Sequence, residues 1–134
     1  MVPRDQGCEY PDKACHGDSC PLARGFYDRL PGAREEAVVQ GWLDASAQRR
    51  IALKHGICPY YLGQEMLRWA DVLVGDVHHL FDGNGQLWGL MQAQEWKLAV
   101  LVDEAHNLVE RARQMYSAEL HLSQIRAAAQ TAPP

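Results

Sequence analysis

The chain has 134 residues, of which 47% are hydrophobic and 22% are charged, and its formal net charge is −4 at pH 7. This composition is typical of a globular protein, and the length allows one domain or one domain with part of a second. No apolar run approaches the roughly 18 residues of a membrane span, no secretory leader is recognised, and the acidic balance argues against nonspecific coating of nucleic acid.

The N-terminal part of the chain is predicted to be a loop followed by a helix. Proline and glycine punctuate residues 1–32, where no periodic apolar pattern survives. Ordering such a loop costs entropy, which a bound metal could offset. Residues 33–55 then carry an apolar stripe that includes Trp42, with acids early and bases late, which favours a helix.

A second, short helix is predicted for residues 59–69, because proline is favoured at the first helical position. Cys58 therefore falls at the N-terminus of this helix, where backbone N–H groups and the helix dipole lower the pKa of a thiol. Trp69 lies on the apolar stripe of the same helix, and we expect both Trp42 and Trp69 to belong to the core.

The second half of the chain alternates between apolar runs and helix-prone segments. Continuous apolar runs are typical of strands that are buried on both faces of a parallel sheet. Strands are predicted at 71–75 and 98–102, helical segments at 77–81, 86–95, 103–114 and 117–130, and a turn at 82–85. The predicted fold class is mainly α with a small parallel β element.

The four cysteines of the chain follow the spacing C-x6-C-x4-C-x37-C and are Cys8, Cys15, Cys20 and Cys58. Without a secretory signal, two disulfides are less favoured than a metal site. Four thiolates can hold one zinc ion tetrahedrally or a [4Fe–4S] cluster, and the spacing alone does not choose between them. Free buried thiols are the remaining alternative.

A basic stretch lies between Asp44 and Glu65, where the sequence contains no acid. Its strong bases are Arg49, Arg50 and Lys54. A local excess of positive charge of this kind can face phosphates even when the whole chain is acidic. The alternative is an ordinary solvated helix face.

The motif that points most directly to chemistry is the apolar run 98–102 followed by Asp103, Glu104, Ala105 and His106. A central strand would hold both carboxylates still, so that Asp103 could hold Mg²⁺ near nucleotide phosphates and Glu104 could polarise an attacking water. An acidic pair after a strand is often only a helix N-cap. The full D-E-A-H tetrad after an apolar run is a stronger signal.

The tetrad resembles the Walker B motif of superfamily 2 helicases, and together with the cysteines it makes the chain similar to the XPD/DinG group of iron–sulfur DNA helicases. Residues 58–61, C-P-Y-Y, resemble the segment with that group's fourth cluster cysteine. Residues 70–81 resemble its strand that returns to the motor, and residues 102–108, V-D-E-A-H-N-L, are nearly its own motif. The resemblance covers residues 8–116.

The resemblance implies a helical, loop-rich iron–sulfur domain over residues 1–69, joined to part of a RecA-like α/β motor domain over 70–116. Residues 117–134 are a helix-prone C-terminal segment. The resemblance further implies a [4Fe–4S] cluster on the four cysteines, with zinc as the alternative, and Mg²⁺ and ATP at Asp103 and Glu104. His106 would couple the nucleotide site to the DNA-binding motifs of the motor.

The resemblance also implies single-stranded DNA and duplex junctions as partners, 5′–3′ movement, and strand separation in replication or repair. Arg49, Arg50 and Lys54 could then contact phosphates, while Tyr60 or Tyr61 could stack on a base or belong to the core. We expect a cytoplasmic protein, nucleoid-associated if bacterial, with no membrane partner.

The chain departs from the group in three ways. The gap of 37 residues before Cys58 is unusual for it, Asp76 stands where asparagine is frequent, and no G-x-x-x-x-G-K-[ST] phosphate loop occurs. We therefore interpret the chain as a piece of a larger helicase, bound to the rest of that helicase chain, and predict that it does not hydrolyse ATP alone. The alternative is a non-catalytic zinc-binding interaction module.

Overall fold

The computed structural model describes residues 1, 3–82, 85–119 and 121–131. It divides into two compact units, Met1–Asp76 and Val77–Pro134. The first unit contains α1 (Arg4–Gly7), α2 (Phe26–Gln40), α3 (Ala45–Lys54) and α4 (Pro59–Met66). The second contains α5 (His78–Phe81), α6 (Gln86–Gln94), a 3₁₀ helix (Ala105–Asn107), α7 (Leu108–Met115) and α8 (Leu122–Thr131). The centre of the turn predicted at 82–85, Gly83 and Asn84, lies outside the described residues, as do residues 132–134 of the C-terminal segment.

Helices make up the regular structure, as the sequence predicts, but the predicted parallel β element is wrong. Neither 71–75 nor 98–102 is a strand, and no strand occurs among the residues that the structure describes. A strand exists only through hydrogen bonds to a neighbouring strand, and a parallel strand also needs helices covering its faces. Here Val72 is 78% exposed and Leu101 is 97% exposed. Within the part of the chain that the structure describes, neither segment pairs with another strand.

The helix predicted for 33–55 is in fact two helices, α2 and α3. Gly41 adopts the positive φ of 71° that ends α2, a conformation that glycine reaches without steric cost. Asp44 then caps α3, its carboxylate accepting the Ala47 N–H at 2.8 Å. Trp42 lies in this break and is 72% exposed, so the prediction that it belongs to the core is wrong.

The loop predicted for 1–32 ends earlier than expected, because α2 begins at Phe26 and contains Pro31. Proline inside a helix removes one backbone hydrogen bond. The cost is offset by burial at helical spacing, since one face of α2 supplies four buried side chains: Phe26, Leu30, Ala33 and Ala37.

The core of the first unit lies between α2, α3 and α4. Its fully buried large side chains are Ile51, Ile57 and Leu62, and Cys58 packs with them. Trp69 remains outside, 54% exposed beneath the Arg34 guanidinium at 4.6 Å, so its predicted core position is wrong. In the second unit, none of the described residues is buried.

Among the described residues, no helix has the length and apolar character that would let it span a bilayer.

Candidate functional site

Cys58 occupies the N-cap of α4 and is 7% exposed, which confirms its predicted place at a helix start. Burial nevertheless raises the pKa of the Cys58 thiol, and it outweighs the backbone N–H groups of Tyr61 and Tyr60, which act in the opposite direction. Cys8 and Cys20 add to the raised pKa. These two sulfurs therefore lie within electrostatic reach of Cys58.

The other three cysteines differ in exposure: Cys20 is buried, Cys8 is half-buried and Cys15 is exposed, and all four thiols are free. Cys15 accepts a hydrogen bond from the Arg4 guanidinium at 3.1 Å. The charge of Cys15 is the main cause that raises the pKa of Arg4. Sequence reasoning missed Arg4, whose one signal was a basic side chain four residues before Cys8.

The donor set fits a soft metal ion in its chemistry, because thiolates are the preferred ligands of zinc and of iron–sulfur clusters. A metal would also balance the charge of a thiolate that burial otherwise disfavours. Within the described residues, however, no three histidine, cysteine, aspartate or glutamate side chains form a group that could hold a metal ion. The described geometry therefore does not itself form a metal site, and a cluster or a zinc ion is indicated only by the chemistry of the four cysteines.

The basic stretch is free of acids in sequence but not in space. Arg49 forms a bidentate ion pair with Glu9, with Nε–Oε1 at 2.5 Å and Nη2–Oε2 at 2.9 Å. Glu9 belongs to the loop that carries Cys8, so this pair links the loop to α3. Arg49 is accordingly committed to a carboxylate in this conformation.

Arg50 and Lys54 share one carboxylate, that of Glu36 on α2. The Lys54 ammonium lies 2.8 Å from Glu36, and an Arg50 guanidinium nitrogen lies 3.7 Å from it while another donates to Gln40 at 2.9 Å. His55 Nε2 also lies 2.9 Å from Glu36. Several basic groups around one acid leave a surplus of positive charge on this face.

The two tyrosines that follow Cys58 are placed differently. Tyr60 packs partly against the core, whereas Tyr61 is 40% exposed. Their rings meet edge to face at 5.2 Å, and Tyr61 meets Phe26 in the same way at 6.1 Å. Burial, followed by the charge of Cys15, raises the pKa of Tyr61. Tyr61 therefore offers the more accessible aromatic ring beside the cysteines.

Asp103 and Glu104 form a turn, and Ala105 and His106 begin the 3₁₀ helix that leads into α7. Glu104 has a φ of 51°, a left-handed conformation that is unusual for a residue with a Cβ. Asp103 Oδ1 accepts the Glu104 N–H at 2.8 Å, and Glu104 Oε2 lies 3.3 Å from His106 Nδ1. Both carboxylates are thus engaged locally, in an exposed turn without a strand before it.

A family model described as DEAD_2 matches residues 3–125. The regulator of telomere elongation helicase 1 homolog of Culex quinquefasciatus is 26% identical over 138 residues, covering 91% of this chain and 14% of the relative. The general transcription and DNA repair factor IIH helicase subunit XPD of Dictyostelium discoideum is 26% identical over 84 residues, covering 62% of this chain and 11% of the relative.

The ATP-dependent DNA helicase CHL1 of Saccharomyces cerevisiae (strain YJM789) is 32% identical over 71 residues, covering 53% of this chain and 8% of the relative. The chain thus spans 14% or less of the length of each of these three curated relatives. No solved structure matches it.

Proposed function

The chain belongs to the DEAD_2 family of XPD-type iron–sulfur DNA helicases, and on that premise we propose that it is the part of an ATP-dependent DNA helicase that carries the metal-binding cysteines and the D-E-A-H motif. The single observation that carries the proposal is the extent of the family match, residues 3–125. That range includes all four cysteines and the whole tetrad.

The four cysteines are proposed to hold a [4Fe–4S] cluster, which would cross-link a loop poor in secondary structure to a helical core. Cys58 and Cys20 would bind from buried positions and Cys8 and Cys15 from the loop. Arg4 would donate its hydrogen bond to the Cys15 sulfur, the kind of outer contact that orients a ligand. One zinc ion in place of the cluster would instead favour a zinc-binding interaction module.

Asp103 is proposed to hold Mg²⁺, Glu104 to orient the attacking water, and His106 to link the nucleotide site to the DNA-binding part of the motor. In the conformation described above, Glu104 faces His106 and the apolar run before the tetrad is exposed. Packing of that run between strands of the remaining helicase chain would hold the carboxylates rigidly. The rest of the helicase chain is therefore the first partner that we propose.

Single-stranded DNA and duplex junctions are the second proposed partner, with strand separation in the 5′–3′ sense during replication or repair. Arg50 and Lys54 are better placed than Arg49 to contact phosphates, because they share Glu36 and leave positive charge unbalanced. Tyr61, with its accessible ring, is better placed than Tyr60 to stack on a base. A cytoplasmic location, with nucleoid association in a bacterium, belongs to the same proposal.

The experiment is a strand-separation and ATP-turnover assay on the full-length protein, with Glu104→Gln as the variant. The proposal expects the variant to bind single-stranded DNA like the native protein while losing DNA-stimulated turnover and unwinding. Glu110→Gln is the matched control, because Glu110 lies in α7 and forms an ion pair, at 3.6 Å, with the exposed side chain of Arg113. Undiminished unwinding by Glu104→Gln would contradict the assignment.

A further inference from the structure

Two consecutive residues of α3 contact the residues that follow the first and the last cysteine of the chain. Gln48 Nε2 donates a hydrogen bond to the Pro59 carbonyl at 2.7 Å, directly after Cys58. The next residue, Arg49, holds both carboxylate oxygens of Glu9, directly after Cys8. One turn of α3 therefore contacts both the segment that carries Cys8 and the segment that carries Cys58.

The Gln48 contact is buried and tightly enclosed. Gln48 is 7% exposed, so its amide has lost most of its access to water, and loss of the Pro59 partner would leave a buried donor unsatisfied. Its amide also lies against α4 at Gly63, where an added Cβ would come within 2.5 Å of Nε2. The side chain of Gln48 therefore fixes the position of the first two turns of α4 relative to α3.

The ion pair between Arg49 and Glu9 lies at a surface cleft. A cleft of about 220 Å³ lies between α1 and α3, and Glu9 and Arg49 are among the residues that line it. The Glu9 side chain is only 23% exposed although the Arg49 side chain is 60% exposed. A bidentate guanidinium–carboxylate pair has a narrow range of geometries, so it fixes direction as well as distance.

We propose that Gln48 and Arg49 act together as positioning residues, a brace on α3 that fixes the segments carrying Cys8 and Cys58 to the same turn of helix and so limits how far these two cysteines can move apart. The purpose of the brace rests on the proposed function, whereas the brace itself rests on the two contacts. It assigns Arg49 a role distinct from the phosphate contact that its charge alone suggests. Arg49 would then matter to the loop even when no DNA is present.

The test measures amide hydrogen exchange in the 134-residue chain, without DNA, over the segment 6–10. Arg49→Gln and Glu9→Gln should each speed exchange there about two- to fivefold, the change in local opening that loss of one partly exposed ion pair produces. The double variant Glu9→Arg with Arg49→Glu should return exchange close to the native rate. Arg113→Gln, which removes an exposed ion pair of α7, is the control and should leave the segment unchanged.

The Gln48 arm is tested in the same way with Gln48→Met, which keeps the side-chain volume and removes the donor. Exchange should rise at the start of α4 rather than at 6–10, and far-UV circular dichroism should show that the helices persist. Unchanged exchange in both Arg49→Gln and Gln48→Met would overturn the brace. So would a charge-swapped double variant that exchanges as fast as Arg49→Gln.

A second readout separates this inference from the proposed function. Arg49→Gln should release iron to a chelator faster than the native chain does. The charge-swapped double variant should return the rate of iron release to the native value. A native chain that carries no iron would contradict the proposed cluster, yet the exchange measurement would still decide the brace. If Arg49→Gln weakened DNA binding while exchange stayed native, Arg49 would be a phosphate contact and the brace would be wrong.

Discussion

The Glu36 carboxylate is the acid around which the basic side chains Arg50, Lys54 and His55 gather in the first unit. Hydrogen bonds, first from Lys54 and then from His55, lower the pKa of the Glu36 carboxyl below its ordinary value of 4.5. Because Glu36 lies on α2 and its partners lie on or next to α3, this carboxylate also connects the two helices that meet at the break after Gly41.

This arrangement predicts a pH-dependent contribution to stability. Because the pKa of Glu36 is lower in the folded state, its contribution is present above the unfolded-state pKa and is lost as pH falls through the lowered folded value. Glu36→Gln should therefore lower the melting temperature near neutral pH, and the gap from the native chain should narrow as pH falls toward about 3.

Thermal unfolding followed by circular dichroism across that pH range is the measurement. Glu35→Gln, at the exposed neighbouring position of α2, is the matched control and should change the melting temperature little. If the difference in melting temperature between the native chain and Glu36→Gln stayed constant or grew as the pH fell, Glu36 would not act through its charge.

Arg4 gives a second prediction for a single residue. Replacing it with glutamine removes the guanidinium 3.1 Å from the Cys15 sulfur, so a centre bound through Cys15 should be lost to a chelator faster. Arg4→Lys keeps the charge and should recover part of the loss. Visible absorbance during chelator challenge is the measurement, with Arg126→Gln on α8 as control. Equal loss rates in all these proteins would contradict the role assigned to Arg4.

At the scale of helices, the contact of α3 with α4 depends on the absence of a side chain at Gly63. An added Cβ would lie 2.5 Å from Gln48 Nε2, and Gln48 cannot yield freely because it is buried and bonded to Pro59. Gly63→Ala should therefore destabilise the chain by about 1–3 kcal/mol despite the better helix propensity of alanine.

Gly89 provides the matched control for this prediction, because it also lies inside a helix, α6, but has nothing within 4 Å of its added Cβ. Gly89→Ala should be neutral or stabilising by up to about 1 kcal/mol. Urea unfolding of both variants is the measurement. A Gly63→Ala protein as stable as Gly89→Ala would mean that α3 and α4 do not pack as closely as described.

The helices also show what sequence could and could not predict. The start of α4 after Cys58 and the bounds of α6 follow from local signals, namely proline at a first helical position and an apolar stretch after glycine. The division between α2 and α3 was missed although Gly41 and Asp44 are ordinary stop and cap residues. Both strands were predicted wrongly, because pairing depends on neighbours that a segment does not itself contain.

In the candidate site, too, the residue types could be predicted from the sequence but the contacts between distant residues could not. The cysteines and the D-E-A-H tetrad could be found from residue type and spacing, and their roles remain predictions. The partners of Arg49 and Lys54 could not be found in this way, because Glu9 and Glu36 are distant in sequence and join them only when α2, α3 and the cysteine-bearing loop pack.

At the scale of the whole molecule, the two units differ in how they are stabilised. The first has a core between three helices, whereas the described residues of the second include none that is buried. The second unit carries the tetrad beside exposed Leu98, Val100 and Leu101. An apolar stretch of this kind matches the proposal that this unit is completed by packing against the remaining helicase chain.

The same reasoning predicts that the 134-residue chain has no ATP hydrolase activity, with or without single-stranded DNA. Its sequence contains Asp103 and Glu104, the carboxylates proposed for Mg²⁺ and water, but no phosphate-loop motif to hold the nucleotide. Phosphate release is the measurement, and the full-length protein serves as the positive control. Turnover by the chain that disappeared in Glu104→Gln would contradict this prediction.

The central claim is that Cys8, Cys15, Cys20 and Cys58 hold one iron–sulfur cluster. Iron and acid-labile sulfide, measured per chain after anaerobic purification, test it most directly. We expect about four of each in the native chain and a large loss of both in Cys58→Ser, which removes the buried thiol at the start of α4. A native chain with one zinc ion, with no metal, or with iron that Cys58→Ser retains in full would contradict it.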